Sequence, residues 1–199
     1  MKPAAKPIVF VDVDDTIADT QRHVLRHINA GREQPYIYDK LDRSFREGNN
    51  AGKEYDDAVQ ELLRPEIMTE TAPLAGALAA MERLHDAGYE VHIVSARREP
   101  LHDTTEEWLA KHGFADFVER IHRRSANLKG KAFKRQLAEQ VKPAALFDDT
   151  LDVALELADT IDAIYLIDKP WNNDAGLTLP HNVVRTDDFA AAVDAFLMK

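Results

Sequence analysis

The 199-residue chain contains no cysteine. This absence excludes both a disulfide framework and a metal site with thiolate ligands. The chain also lacks any apolar stretch near the roughly 18 residues that a membrane-spanning helix requires. The apolar run near its start is too short for the core of a signal peptide. We therefore expect a soluble protein with no membrane partner, and because a cysteine-free chain suits a reducing compartment, we expect it in the cytoplasm.

Basic residues are in deficit, since 25 Lys and Arg face 35 Asp and Glu and the net charge is −10. A nucleic-acid duplex is disfavoured as the main partner, because its phosphate backbone attracts cations and repels a chain of this charge. Residues 120–135 have the opposite balance, with seven Lys or Arg and no acidic residue. Such a run is typical either of a solvated face or of a wall that binds an anion.

Four short apolar runs each end in polar residues. They cover residues 8–12, 90–95, 144–149 and 163–168. Between the later runs, apolar residues spaced three and four apart predict helices. Strands that alternate with helices predict an α/β fold, a Rossmann-like three-layer sandwich whose mostly parallel central sheet is covered on both faces. Because such sheets place their chemistry beyond the carboxyl ends of the strands, the polar residues that close the runs should converge.

The interval between the first two runs is too long for an ordinary crossover, which holds one helix and short loops. Within it, the sequence predicts helices over residues 15–30 and 54–63 and from Pro73 to Gly88. The last of these helices suits the layer that covers the sheet. We therefore expect residues 20–72 to form a small helical cap inserted after the first strand. Residues 1–19 and 73–199 should then form the core.

Carboxylates crowd the predicted strand ends. Asp12 and Asp14 close the first run, and Asp148 and Asp149 close the third. Unpaired carboxylates at adjacent strand ends raise one another's proton affinity, and a divalent cation removes that cost. Rigid carboxylate and carbonyl oxygens suit Mg²⁺, which keeps several waters and takes few protein ligands. The alternative for Asp12 or Asp14 alone is a helix cap whose side chain accepts free N–H groups.

The order of these residues resembles that of the haloacid dehalogenase superfamily over most of the chain. DVDDT resembles its first motif, Ser95 at the end of EVHIVSAR resembles its second, and LFDD resembles its acidic fourth motif. Three lysines, Lys129, Lys131 and Lys134, are candidates for the lysine of its third motif. We favour Lys129, because it precedes Gly130 at a predicted helix start and lies four residues before an aromatic residue.

The resemblance implies a phosphatase that uses Mg²⁺. Asp12 would be the nucleophile and would form an aspartyl-phosphate intermediate. Asp14 would protonate the leaving oxygen and then deprotonate the hydrolytic water. The side chains of Asp12 and Asp149 and the backbone carbonyl of Asp14 would hold the metal, with Asp148 supporting them, and the choice between the two adjacent aspartates stays open. An acid at position 14 also argues against carbon–halogen cleavage, because the dehalogenase branch lacks it.

The same resemblance implies ligands for the phosphoryl oxygens. Ser95, the N–H of Ala96 and Lys129 would bind them where charge develops in the transition state. The alternatives are a serine that serves only a turn and a lysine that is merely exposed at a helix start. Asp15 and Asp19 lie outside these roles, and we interpret both as acids at the positive end of the following helix.

Two further stretches resemble a narrower group. SARREPLHDTTEEWLAKHGF resembles the segment after the second motif in deoxyribonucleotidases and in the phosphatase domain of polynucleotide kinases. IDKPWNN resembles an aromatic-Asn loop of the 5'(3')-deoxyribonucleotidases. Both resemblances are weaker than that of the aspartates.

Two residues of these stretches are candidates for substrate contacts. Arg97 would pair with a substrate phosphate, unless it forms a salt bridge with Glu99 or Asp103. Trp171 would stack on a base or a neighbouring surface, unless it only pins its loop to the core.

We accordingly expect a Mg²⁺-dependent phosphomonoesterase that acts on a small phosphorylated metabolite, such as a (deoxy)nucleoside monophosphate. One alternative is a 3'-phosphatase that acts on nucleic-acid ends, which the basic run favours and the overall charge opposes. Another is a non-catalytic protein that keeps this fold to bind a nucleotide or a partner, which the presence of both Asp12 and Asp14 argues against.

Overall fold

A computed structural model gives the fold and describes residues 6–48, 50–174 and 176–199. Within these ranges, six strands form one sheet, and every pairing in it is parallel. The strands are β1 (Ile8–Val11), β2 (Glu90–Val94), β3 (Arg120–His122), β4 (Ala145–Asp148), β5 (Ile164–Ile167) and β6 (Val183–Thr186). Their order in the sheet is β3-β2-β1-β4-β5-β6. Because β1 lies between β2 and β4, the loops that follow these three strands emerge side by side.

Helices in the described ranges connect the strands. They are α1 (Thr20–Asn29), α2 (Arg43–Gly48), α3 (Asn50–Leu62), α4 (Pro65–Met68), α5 (Ala77–Asp86), α6 (His102–Lys111), α7 (Gly130–Val141), α8 (Leu151–Leu157) and α9 (Phe189–Leu197). Within the described residues, none of these helices combines the length and the apolar character needed to cross a membrane.

The two faces of the sheet bury separate apolar cores. Val9 and Val11 of β1 pack on one face with residues of α5, α6 and α9. Phe10 points to the other face, where it packs with residues of α7 and α8. The alternation follows from the period of two along a strand, and burial on both sides explains why β1 is apolar throughout. The predicted three-layer α/β fold is therefore confirmed.

The helices between β1 and β2 build a third apolar cluster. It includes Val24 and Leu25 of α1, Tyr55 and Val59 of α3, and Met68 of α4. The helical cap expected after the first strand is thus present. Its proposed limits, residues 20–72, stay a prediction.

The helix expected from about residue 15 begins later, at Thr20. The residues before it form a tight loop in which the N–H groups of Ile17 and Ala18 both donate to the Val13 carbonyl, at 3.0 and 2.9 Å. Asp15 in this loop has a left-handed backbone with φ of 55°. A right-handed helix cannot include that conformation, so α1 starts only after the loop.

Candidate functional site

The ends of β1, β2 and β4 meet around one cavity of about 440 Å³. Asp12 N donates to the Phe147 carbonyl at 3.0 Å, which ties the loop after β1 to β4. Asp12, Asp14, Asp15 and Asp149 all line this space, which we call the acidic cavity. The predicted convergence of the first and fourth motifs is therefore observed.

Three buried carboxylates lie close together at this point. Asp12, Asp148 and Asp149 each offer an oxygen atom, and the three atoms lie within 4.8 Å of one another. Asp148 is fully buried and accepts the backbone N–H of Thr150 at 2.8 Å. Asp149 instead lines the cavity. The geometry therefore favours Asp149 over Asp148 as the residue that faces a ligand.

The lysine beside these carboxylates is Lys134, which lies on the second turn of α7 and is buried. Its Nζ is 2.6 Å from Asp148 Oδ2 and 3.0 Å from Asp12 Oδ1. Lys131 also lines the acidic cavity, but it is half exposed and its Nζ lies 3.7 Å from Glu156 Oε2. Lys129 is exposed and precedes α7. Contrary to our preference for Lys129, the geometry favours Lys134 as the third-motif lysine, because only Lys134 contacts Asp12.

Burial has the largest effect on the pKa values of Asp12, Asp149 and Lys134. It raises the pKa of Asp12 well above its usual range, although the Lys134 charge opposes the rise and the neighbouring aspartates add to it. Burial, assisted by the charge of Asp148, raises the pKa of Asp149 to about 6. For Lys134, burial lowers the pKa, but the charges of Asp12 and Asp148 outweigh it and raise the pKa above its usual value. Asp12 and Asp149 therefore resist ionisation unless further positive charge is supplied.

These residues fit Mg²⁺. One ammonium faces three carboxylates, so the ionised cluster keeps a negative charge. Asp12 Oδ1 is buried and has the Lys134 ammonium 3.0 Å away. An oxygen-only set of ligands with excess negative charge matches the preference of a hard divalent cation.

Asp14 is held by Arg97. The Arg97 Nη2 and Nε atoms donate to the two carboxylate oxygens at 2.7 and 3.0 Å, and Thr20 Oγ1 donates at 2.6 Å. Burial opposes ionisation of Asp14, but the charge and hydrogen bonds of Arg97 outweigh it and lower the pKa of Asp14. Arg97 is itself buried. The salt bridge of Arg97 thus involves Asp14, and neither Glu99 nor Asp103 is its partner.

The loop after β2 approaches the start of α7 closely. Ser95 is buried, and its Oγ accepts the N–H of Arg97 at 3.2 Å, which leaves the hydroxyl proton free to donate. Ala96 lines the acidic cavity together with Gly130. A Cβ atom on Gly130 would lie 2.7 Å from the Ala96 Cβ, so glycine is required for this approach. No side chain caps α7, and its free N–H groups begin here.

Asp15 has a larger part in the cavity than its sequence position indicated. Asp15 lies in the loop before α1, and Asp19 rather than Asp15 is the N-cap residue, so neither acid lies in the first turn as predicted. Asp15 Oδ1 nevertheless accepts the N–H of Gln21 in that turn at 2.9 Å. The carboxylate is also buried in the cavity wall. Burial, followed by the charge of Asp149, raises the pKa of Asp15 well above its usual range. Its burial beside Asp149 could not be read from the sequence.

The loop after β5 positions Asp149, a function that the sequence reasoning missed. Trp171 Nε1 donates to Asp149 Oδ2 at 2.8 Å, and Asn172 Nδ2 donates to the Asp149 carbonyl at 2.6 Å. The Trp171 ring also packs edge to face on Tyr38 of the cap, with 5.7 Å between ring centroids. Trp171 therefore links the cap to the core. The aromatic-Asn pair of IDKPWNN was the signal that pointed to this loop.

A second cavity of about 500 Å³ adjoins the first. It is lined by Arg97, Arg98, Arg124 and Lys129, and we call it the basic cavity. The two cavities share three lining residues, Asp14, Ala96 and Gly130. The basic run that the sequence predicted as a face or an anion-binding wall thus contributes Arg124 and Lys129 to this cavity.

Comparison with known proteins is informative at the level of structure. No protein-family model and no curated protein sequence matches the chain. A predicted phosphatase from Clostridium acetobutylicum superimposes with a TM-score of 0.66 at 13% identity, covering 98% of this chain and 100% of the other. A haloacid dehalogenase-like hydrolase from Streptococcus pneumoniae has a TM-score of 0.65 at 13% identity, covering 97% of this chain and 98% of the other.

A third structure of the same kind is a protein of Bacillus subtilis, described as a haloacid dehalogenase-type hydrolase and solved with bound magnesium. Its TM-score is 0.56 at 15% identity, and the match covers 97% of this chain and 98% of the other. At these identities the similarity shows that the fold is shared over the full length of the chain.

Proposed function

We propose that the chain is a Mg²⁺-dependent phosphomonoesterase of the haloacid dehalogenase type that acts on a small phosphorylated metabolite. The observation that carries this proposal is the group of Asp12, Asp148 and Asp149 around the buried Lys134, with Asp14 two residues beyond Asp12. The proteins that share the fold support the class, since one is a hydrolase, one is a predicted phosphatase and one binds magnesium.

The proposed reaction has two displacements at phosphorus. The Asp12 carboxylate attacks phosphorus, the bond to the leaving oxygen breaks, and Asp14 donates a proton to that oxygen. Asp14 then takes a proton from water, which attacks phosphorus and breaks the bond to Asp12. The second step needs Asp14 as a carboxylate, the form that Arg97 stabilises. A substrate phosphate that draws Arg97 away from Asp14 would raise the pKa of Asp14 and favour the acid needed in the first step.

The remaining residues of the site are proposed to bind Mg²⁺ and the phosphoryl group and to hold them in position. Asp12, Asp149 and the Asp14 carbonyl are the proposed ligands of Mg²⁺, which when bound offsets the charge of the phosphoryl oxygens. Asp148 holds Lys134 in place through its 2.6 Å ion pair. Ser95 Oγ, the Ala96 N–H and Lys134 are the proposed donors to the phosphoryl oxygens. The preference for a (deoxy)nucleoside monophosphate rests on the resemblance of the two stretches after β2 and β5.

Replacement of Asp12 tests the covalent mechanism. The Asp12→Asn variant should lose about 10³-fold or more of the Mg²⁺-dependent phosphate release from an aryl phosphate, because the amide cannot act as the nucleophile. Asp19→Asn is the matched control, since Asp19 belongs to the same stretch but faces Arg22 at 3.8 Å. Steady-state kinetics with Mg²⁺ or with EDTA would measure both variants. Retention of Mg²⁺-dependent turnover by a folded Asp12→Asn variant would contradict the mechanism.

A further inference from the structure

We propose that the basic cavity binds a second phosphate group on the leaving portion of the substrate. The preferred substrates are then small molecules with two phosphates, of which one is hydrolysed at Asp12. This inference rests on the proposed function and adds the class of substrate to it.

The basic cavity lies on the side of Asp14 where we expect the leaving group of the substrate. Asp14 lines both cavities, and it is the proposed proton donor to the leaving oxygen. Ala96 and Gly130 form the rest of the shared wall. A phosphoryl group at Asp12 therefore directs its leaving group past Asp14, into the basic cavity.

The charge of the basic cavity is strongly one-sided. Four of its lining residues are cationic, and Asp14 is the one acid among the described residues that line it. The Asp14 carboxylate is already paired with Arg97 at 2.7 Å. Among the residues that the structure describes, the other three cations have no carboxylate partner, in a protein whose net charge is −10. Such a local excess of positive charge favours an anionic ligand.

The three cations contact neutral groups or have no contact within the described residues. Arg98 Nη2 donates to Gln60 Oε1 at 2.7 Å. Arg124 donates to two backbone carbonyls, which orients its guanidinium and leaves its charge uncompensated. Lys129 Nζ has no hydrogen bond or ion pair to any residue in the described part of the chain. Two guanidinium groups and one ammonium are the donors that phosphate recognition uses.

Two other basic residues of the same run are neutralised by acids. Arg123 lies 2.9 Å from Asp103 and 2.7 Å from Glu106. Arg135 lies 3.0 Å from Asp159. Within the described residues, by contrast, no acid pairs with Arg98, Arg124 or Lys129. These three charges line the cavity where the proposed leaving group would lie.

The rest of the cavity wall suits a small molecule. Gln60 of α3 and Leu63 just beyond that helix come from the cap, whereas Pro100 and Leu101 come from the segment before α6. A ligand here would lie between cap and core, with apolar side chains beside its cationic anchors. The net charge of −10 opposes binding of a long nucleic-acid strand, so we assign the cavity to a small bisphosphorylated molecule.

Matched substrate pairs test this assignment. With Mg²⁺ at low salt, adenosine 3',5'-bisphosphate should be hydrolysed with a kcat/KM at least about tenfold that of either adenosine monophosphate, since the second phosphate adds charge-assisted contacts to the cations. Fructose 1,6-bisphosphate and fructose 6-phosphate form a second pair. Higher salt should reduce the preference, because the cations are partly exposed. Equal kcat/KM values within both pairs would overturn the inference.

Two variants locate the preference in the basic cavity. Arg98→Met and Lys129→Met should each lower the ratio of bisphosphate to monophosphate kcat/KM by about fivefold or more. Lys53→Met is the matched control, because Lys53 is an exposed lysine of α3 that does not line the cavity. An equal fall of the ratio in Lys53→Met would show a general charge effect and overturn the assignment.

Binding to the Asp12→Asn variant gives a readout that does not depend on turnover. Calorimetry should show at least about tenfold tighter binding of the bisphosphate than of the monophosphate. Turnover by the Asp12→Asn variant would contradict the proposed function. An activity that depends on Asp12 but shows no preference for the bisphosphate would contradict only the present inference. Faster phosphate release from a 3'-phosphorylated oligonucleotide than from the nucleoside bisphosphate would overturn the assignment to a small molecule.

Discussion

The acidic and basic cavities share one wall but carry opposite charge in different settings. Asp12, Asp148 and Asp149 are buried at strand ends beside the acidic cavity, and Lys134 is ion-paired with Asp12 and Asp148. Lys129 and Arg98 of the basic cavity are exposed on loops between elements. An unpaired buried charge costs several kcal/mol of folding stability, whereas an exposed charge changes folding stability little and stays available to a ligand. The comparison fits the proposals made above, in which the acidic cavity carries the chemistry and the basic cavity the selectivity.

The largest difference in the free energy of unfolding should appear between replacement of the buried Lys134 and replacement of the exposed Lys129. Lys134→Met leaves Asp12 and Asp148 buried without their cation, so we expect a loss of about 3–5 kcal/mol in the free energy of unfolding. Lys129→Met changes an exposed side chain and should alter that free energy by about 0.5 kcal/mol or less. Urea denaturation in EDTA measures both. Equal losses of unfolding free energy in the two variants would show that Lys134 stabilises the fold no more than the exposed Lys129 does.

The second test concerns the repulsion within the acidic cavity. Burial and Asp148 raise the pKa of Asp149 to about 6, so the folded chain holds a proton there more tightly than the unfolded chain does. Through this group, the stability of the metal-free protein should fall as the pH rises from about 4 to about 6. Asp149→Asn removes that fall and, in EDTA at pH 7.5, should stabilise the protein by up to roughly 3 kcal/mol.

Added Mg²⁺ should remove the stability advantage that Asp149→Asn has over the wild-type protein in EDTA. Wild-type protein should gain thermal stability with added Mg²⁺ at pH 7.5, whereas Asp149→Asn should gain little, because it has lost a proposed ligand. Asp152→Asn is the control, since Asp152 lines the same cavity with an exposed side chain. A lower stability of Asp149→Asn than of wild type in EDTA would contradict the repulsion argument.

The smallest loss of stability should come from a change in the wall that the two cavities share, at Gly130. A Cβ atom on Gly130 would lie 2.7 Å from the Ala96 Cβ, so Gly130→Ala must displace one segment and should cost about 1–3 kcal/mol. The double variant Ala96→Gly with Gly130→Ala restores the space and should recover most of that cost. Denaturation of the single and double variants measures the coupling. Simple addition of the single costs would show that the two segments do not meet as described.

Sequence reasoning located four strands and missed two. The runs ending near Asp12, Ser95, Asp149 and Asp168 were predicted because central strands, buried on both faces, are continuously apolar. The edge strands β3 and β6 have polar residues and partly exposed positions, as in RIH and VVRT. An edge strand is covered less completely, so its sequence lacks the apolar run that marks a central strand.

The three candidate lysines show the same limit at the level of a single residue. Lys129, Lys131 and Lys134 lie within six positions of one another, and their local sequences do not reveal which of them contacts Asp12. The way α7 packs on the sheet decides which side chain reaches the aspartates. Only Lys134 is buried beside Asp12, at 3.0 Å.

The sequence by itself determined the α/β fold and the meeting of Asp12, Asp14, Asp148 and Asp149, because strand period and strand-end position are local properties. The tertiary structure decided the partners of those carboxylates. Arg97 binds Asp14 across 83 positions, and Trp171 binds Asp149 across 22. Such pairs depend on how distant segments pack, which local patterns do not encode. The same packing placed Arg98, Arg124 and Lys129 in the basic cavity, beside the acidic cavity.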